Sequence, residues 1–106
     1  MIDSEIQKQV GINLRFLRTR TFKQRKNKKN ELVMKYLRQE ELAKMVLNVT
    51  PQQIQKYENG INSLDSLKIY KLSRFFCVPM EVFFDSKLIE RQSFTKLIKN
   101  EQPNNN

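Results

Sequence analysis

Apolar residues recur at helical spacing along nearly the whole chain, and the one sizeable polar break runs from Lys23 to Asn30. Ile6, Val10, Leu14 and Leu17 share one face of a first helix that Asp3 or Ser4 can cap. A second helical pattern starts at Asn30, a plausible cap, and continues through Leu32, Tyr36, Leu42 and Val46. Thr50 before Pro51 is an N-cap followed by proline at the first helical position, and Gly60 stops that third helix. Ser63 or Asp65 caps a fourth helix with Ile69, Leu72 and Phe76 facing inward, and Pro79 opens a short fifth ending in Phe83 and Phe84. Asn59-Gly60 lies between helical patterns and reads as a helix end, not a hairpin turn. The expected class is therefore all-α. Beyond Asp85, Leu88, Ile89, Phe94, Leu97 and Ile98 suggest one more amphipathic helix, and Gln102 to Asn106 is expected to be disordered.

The 106 residues suffice for one modest core. The net charge is +9, and residues 1–40 carry eleven cations against four acids, so the surplus is concentrated in the first half. Such a balance suits a polyanionic partner, either nucleic acid or an anionic membrane surface. With no histidine and only Cys77, disulfide frameworks and Cys/His zinc sites are excluded, and a reducing cytoplasm is expected. Cys77, between Phe76 and Val78, reads as a buried small hydrophobe. The N-terminal stretch has no apolar run of signal-peptide type, and none of the chain approaches a membrane span. No acid/base constellation assembles, so neither enzymatic activity nor a cofactor is expected.

The third helix, Pro51 to Glu58, carries the functional signal. Ile54 and Tyr57 lie on one side as anchors, while Gln52, Gln53, Gln55 and Lys56 offer long hydrogen-bonding groups without negative charge. Glutamine pairs bidentately with adenine N6 and N7, and lysine donates to guanine O6 and N7 in the major groove.

These residues sit in a wider pattern. The segments Q-E-E-L-A (Gln39 to Ala43) and V-T-P-Q-Q-I-Q-K-Y-E-N-G (Val49 to Gly60) resemble the Cro/repressor-like, XRE-type helix-turn-helix. V-G-I-N-L-R-F-L-R (Val10 to Arg18) is similar to that family's first helix, and Leu67 to Phe84 to its fourth and fifth. The resemblance implies a five-helix, lambda-repressor-like DNA-binding domain over residues 1–85, with a basic insertion at about 19–38 and a C-terminal extension at 86–106. It implies base-reading roles for Pro51, Gln52, Gln53, Lys56 and Asn62. It places phosphate contacts at Gln39, Gln55 and Asn59. It also implies that Arg18 and Glu58 form a structural lock between the first helix and the reading helix.

Twenty residues separate Arg18 from Gln39, far more than the family's usual link. Their cations Lys23, Arg25, Lys26, Lys28 and Lys29 suit phosphate neutralisation. Arg38 stands where a capping Ser or Thr is common, so the second helix is expected to extend back to about Asn30. One extra residue precedes Val49, and Asn48 replaces the family's turn glycine. The leading expectation is a transcriptional repressor or regulator binding double-stranded DNA as a homodimer, with Phe83, Phe84, Leu88 and Ile89 available for the two-fold contact. The alternatives are an antitoxin that docks a toxin through its C-terminal extension and represses its own operon, and an RNA binder driven by the lysine-rich insertion.

Overall fold

The computed structural model describes residues 2–91. Helix α1 spans Ile2–Thr19 and runs straight into a hairpin of two strands, β1 at Phe22–Lys26 and β2 at Leu32–Tyr36. Helix α2, Gln39–Leu42, widens into a π turn at Ala43–Leu47, and α3 spans Pro51–Glu58. Helix α4 covers Ser66–Phe76, followed by a 3-10 turn at Met80–Phe84 and a short helical stretch at 88–91. None of the described helices is long and apolar enough to cross a membrane.

The hairpin corrects two expectations, the all-α class and the second helix extending back to Asn30. L-V-M-K-Y alternates as readily at a period of two as at a helical one, and the stretch before it has no apolar stripe to bury. The two asparagines of the connection settle the turn. Asn27 Oδ1 accepts the N–H groups of Lys29 and Glu31, each at 2.9 Å, and Asn30 takes the left-handed conformation at φ 66°. Antiparallel pairing runs from Phe22 opposite Tyr36 to Lys26 opposite Leu32, and Leu37 N–H continues it to Thr21 O at 2.8 Å. Helix α2 starts only at Gln39, where Glu41 accepts the Arg38 N–H at 2.8 Å in place of a capping hydroxyl.

The extra residue before Val49 is taken up within the helix, since π turns accommodate one additional residue per turn. Asn48 then closes the segment at φ 56°, ψ 51°, a left-handed conformation that asparagine adopts more readily than most residues. Elsewhere Asp65 is the cap of α4, accepting Lys68 N–H at 2.8 Å. Asp3 and Ser4 lie inside the first turn of α1 and do not precede it.

The core is built from all of these helices. Leu14, Leu42, Ile54, Leu72 and Phe83 are fully buried, with Val10, Leu37, Leu47, Tyr57 and Ile69 around them. Each such side chain contributes roughly 1.5–3 kcal/mol by leaving water. Phe83 and Leu88 belong to this interior, so of the four residues expected at a two-fold contact only Phe84 and Ile89 are exposed. Ile6 is likewise on the surface. Cys77 is exposed because it ends α4 in a left-handed conformation, φ 59°, which turns its side chain away from the core. Phe94, Leu97, Ile98 and the tail from Gln102 lie outside the described residues.

Asn13 fixes the C-terminal turn. Fully buried in the middle of α1, it donates through Nδ2 to the carbonyls of Val82, Phe83 and Asp85 at 2.9–3.1 Å. Val82 O and Asp85 O also accept the Asp85 and Leu88 N–H groups at 3.2 and 3.3 Å, so Asn13 adds a tertiary tie to a turn that already holds its own bonds.

Candidate nucleic-acid interface

Thr50 accepts Gln53 N–H at 3.1 Å, Pro51 supplies a preset φ, and α3 therefore begins where the sequence indicates. Ile54 and Tyr57 anchor it in the core. Pro51, Gln52, Gln55 and Lys56 are exposed, and Gln53 is half-buried. Among the described residues this exposed row carries no acid.

The far end of α3 is fastened to α1. Arg18 Nε and Nη2 grip the two Glu58 carboxylate oxygens at 2.6 and 3.0 Å, and Nη1 donates to Leu37 O at 2.8 Å. The two side chains are 7% and 2% exposed, so this is a desolvated bidentate pair in which each guanidinium nitrogen has an acceptor. Gln39 Nε2 donates to the same carboxylate at 2.9 Å. Gln39 thus opens α2 and does not lie mid-helix, and one of its amide hydrogens is committed to the lock. The Arg18 guanidinium also lies 5.8 Å from the centre of the Tyr36 ring.

Gly11 makes the close crossing of α1 and α3 possible. A Cβ there would stand 2.3 Å from Tyr57 O and 2.7 Å from Glu58 O, both backbone atoms. Sequence reasoning passed over Gly11, although a glycine inside an apolar helical period is a known mark of close packing. It passed over Asn13 for the same reason, as one polar residue on an apolar face.

After α3, Gly60 turns the chain at φ 73°, and Gln7 Nε2 holds its carbonyl at 2.7 Å. Asn59 is exposed at the helix end. Asn62 is half-buried on the wall of a groove of about 520 Å³ shared with Gln7, Val10, Tyr57 and Leu64.

The inserted cations divide into two groups. Arg25 forms a bidentate pair with Glu41 in the first turn of α2, and its Nη2 also donates to Tyr36 O at 3.1 Å. Lys23 Nζ reaches the same carboxylate at 3.3 Å. The guanidinium beside Glu41 holds that carboxyl well below the usual carboxylate range, and the carboxylate raises Arg25 in return. Arg25 is therefore a clamp between hairpin and α2. Lys26, Lys28 and Lys29, at the far end of the hairpin, are exposed, and among the described residues they enter no ion pair.

Among curated proteins, a chain from Rhodospirillum rubrum is similar, 42% identical over 48 residues; it is named as an uncharacterized transcriptional regulator in the ATPase CF(0) region. The match covers 45% of this chain and 44% of that relative, so the chain spans less than half of the relative's length. Residues 29–83, which include α2, α3, α4 and most of the 3-10 turn, match the helix-turn-helix family. With more than half of its length in that match, and with α2 and α3 joined by a tight left-handed turn at Asn48, the chain belongs to the XRE-type helix-turn-helix family of DNA-binding regulators.

Proposed function

We propose that this protein is a transcriptional repressor that binds double-stranded DNA as a homodimer, with α3 lying in the major groove. The observation that carries this reading is the acid-free row Pro51, Gln52, Gln55 and Lys56 on a helix immobilised by the Arg18–Glu58 pair. A rigid helix end that presents amides and an ammonium group meets base edges without paying desolvation of carboxylates against phosphate.

Gln52, Gln53 and Lys56 read bases, and Pro51 touches a thymine methyl. Gln55 and Asn59 face phosphate. Gln39 holds phosphate with the amide hydrogen that Glu58 leaves unused. Asn62 contacts a base edge or phosphate at the end of the reading helix. One such helix covers few base pairs, so two copies sit about 34–36 Å apart on one face of the duplex. Phe84 and Ile89 are the exposed apolar residues on the C-terminal side that favour the two-fold contact.

Footprinting on the DNA upstream of the protein's own coding sequence identifies the site and its symmetry. On that site Gln52→Ala and Lys56→Ala each weaken binding by about 1–3 kcal/mol, with little change on random DNA. Equal losses on both DNAs would refute base reading by these residues.

A further inference from the structure

The fold gives the hairpin a face that the sequence pattern alone conceals. Residues directly opposite in an antiparallel pair project on the same side, so Phe22, Gln24 and Lys26 share a face with Tyr36, Met34 and Leu32. On it Phe22 and Tyr36 are each 52% exposed, Met34 57% and Leu32 61%. Four large apolar side chains in one row are more than scattered surface residues require. The opposite face holds Arg25 and Lys23, drawn onto Glu41.

Charge identifies what covers the apolar row. Residues 20–38 hold eight cations and one acid, which accounts for +7 of the chain's +9. A second copy packed on this face would bring two such clusters together, whereas a polyanion neutralises them. Lys26 on this face, with Lys28 and Lys29 in the connection beyond it, places exposed positive charge at one end of the apolar row, which suits a phosphate backbone. The clamp then sets direction. Within a helix-turn-helix the helix preceding the reading helix crosses the phosphate backbone. Arg25 fastens the hairpin to the first turn of that helix, α2.

We propose that the hairpin is a second DNA-binding element, a rigid wing lying along the duplex beside the half-site. Lys26, Lys28 and Lys29 engage phosphates. The row Phe22, Leu32, Met34 and Tyr36 packs on the sugar walls of the flanking groove. Five residue pairs at about 3.4 Å each, plus the turn, extend contact by roughly five base pairs beyond the reading helix. This assignment rests on duplex DNA being the partner, and not on which bases α3 reads.

The test uses the full chain on a random-sequence duplex, on the footprinted site with long flanks, and on the same site trimmed to its half-sites. Replacing Lys26, Lys28 and Lys29 with Ser should flatten the salt dependence of log affinity by about 2.7 on both long duplexes, at roughly 0.9 per phosphate contact. Trimming the flanks should have the same effect on the wild type. Leu32→Ser with Met34→Ser, both at exposed positions, should weaken binding about tenfold on the long duplexes with the salt slope unchanged, because apolar contact releases no counterion. Thermal melting and sedimentation of every variant accompany the binding curves. Unchanged slope and affinity in variants that melt like wild type would overturn the wing. So would a Leu32/Met34 variant that binds DNA normally but falls apart as a dimer, since the row would then be a self-interface. Failure of Gln52→Ala and Lys56→Ala to reduce specificity would refute the base-reading assignment and leave the salt-slope result standing.

Discussion

Replacing Gly11 with alanine sets two effects against each other. Gly11 lies within α1, where alanine is favoured over glycine by about 1 kcal/mol. The new Cβ, however, would meet Tyr57 O at 2.3 Å and Glu58 O at 2.7 Å, whereas ordinary contact begins at 3.4 Å. Neither atom can swing aside, because both are backbone carbonyls in the last turn of α3. The helices must therefore part by about 1 Å, which opens the close-packed interface around Val10, Leu14 and Tyr57. Overpacking of this kind costs about 1–3 kcal/mol and more where backbone must move, so the clash outweighs the propensity gain. Gly11→Ala should be less stable by about 2 kcal/mol, with a melting temperature lower by roughly 8–16 °C for a domain of this size. Ile12→Ala, at an exposed neighbouring position, serves as the control. Thermal melting and urea unfolding read the effect, and a Gly11→Ala protein as stable as wild type would refute the crossing geometry.

Glu58→Ala removes one partner of a desolvated pair and leaves the Arg18 guanidinium buried, at a cost of about 3–5 kcal/mol; an unchanged melting curve would mean that the pair contributes nothing. Acid titration checks the hairpin clamp. The folded-state value of Glu41 lies below its unfolded value of about 4.3, so its contribution is intact above that pH and is lost as pH falls toward the folded value. Glu41→Gln should therefore lose less stability than wild type between about pH 5 and 3, and parallel curves for the two proteins would count against the clamp. Asp65 and Asp85 are also held low, by the N–H groups of Lys68 and Lys87, and act equally in both proteins.

What was legible in the sequence is mostly punctuation. Thr50-Pro51 marks the start of α3, Asn48 the left-handed turn before it, and Asp65, one of two caps the sequence offered, the start of α4, because caps and positive-φ residues act within a few positions of themselves. The hairpin was illegible for the opposite reason. L-V-M-K-Y fits either period, and the hairpin is held both by the asparagine turn and by the bond of Arg25 to Glu41, sixteen positions away. Gly11 and Asn13 make sense only once α3 and the 3-10 turn are laid against them. Cys77 and Phe83 sit in similar apolar company along the chain, yet one is outside and the other in the core. For Cys77 a single left-handed φ decides the matter, and composition carries no trace of it.

The π turn at Ala43–Leu47 bears on how this domain tolerates insertion. Leu42 and Leu47 are both buried although five positions separate them. On a regular helix that spacing rotates the second side chain about 140° from the first, which would point one of them at solvent. Widening the turn restores their phase, so a residue is added to the girth of the helix instead of its length. The left-handed exit at Asn48 and the start of α3 at Pro51 follow in their usual succession. A one-residue insertion, which would put a rigid rod out of register, here costs one slack turn and leaves both ends of the motif in gear.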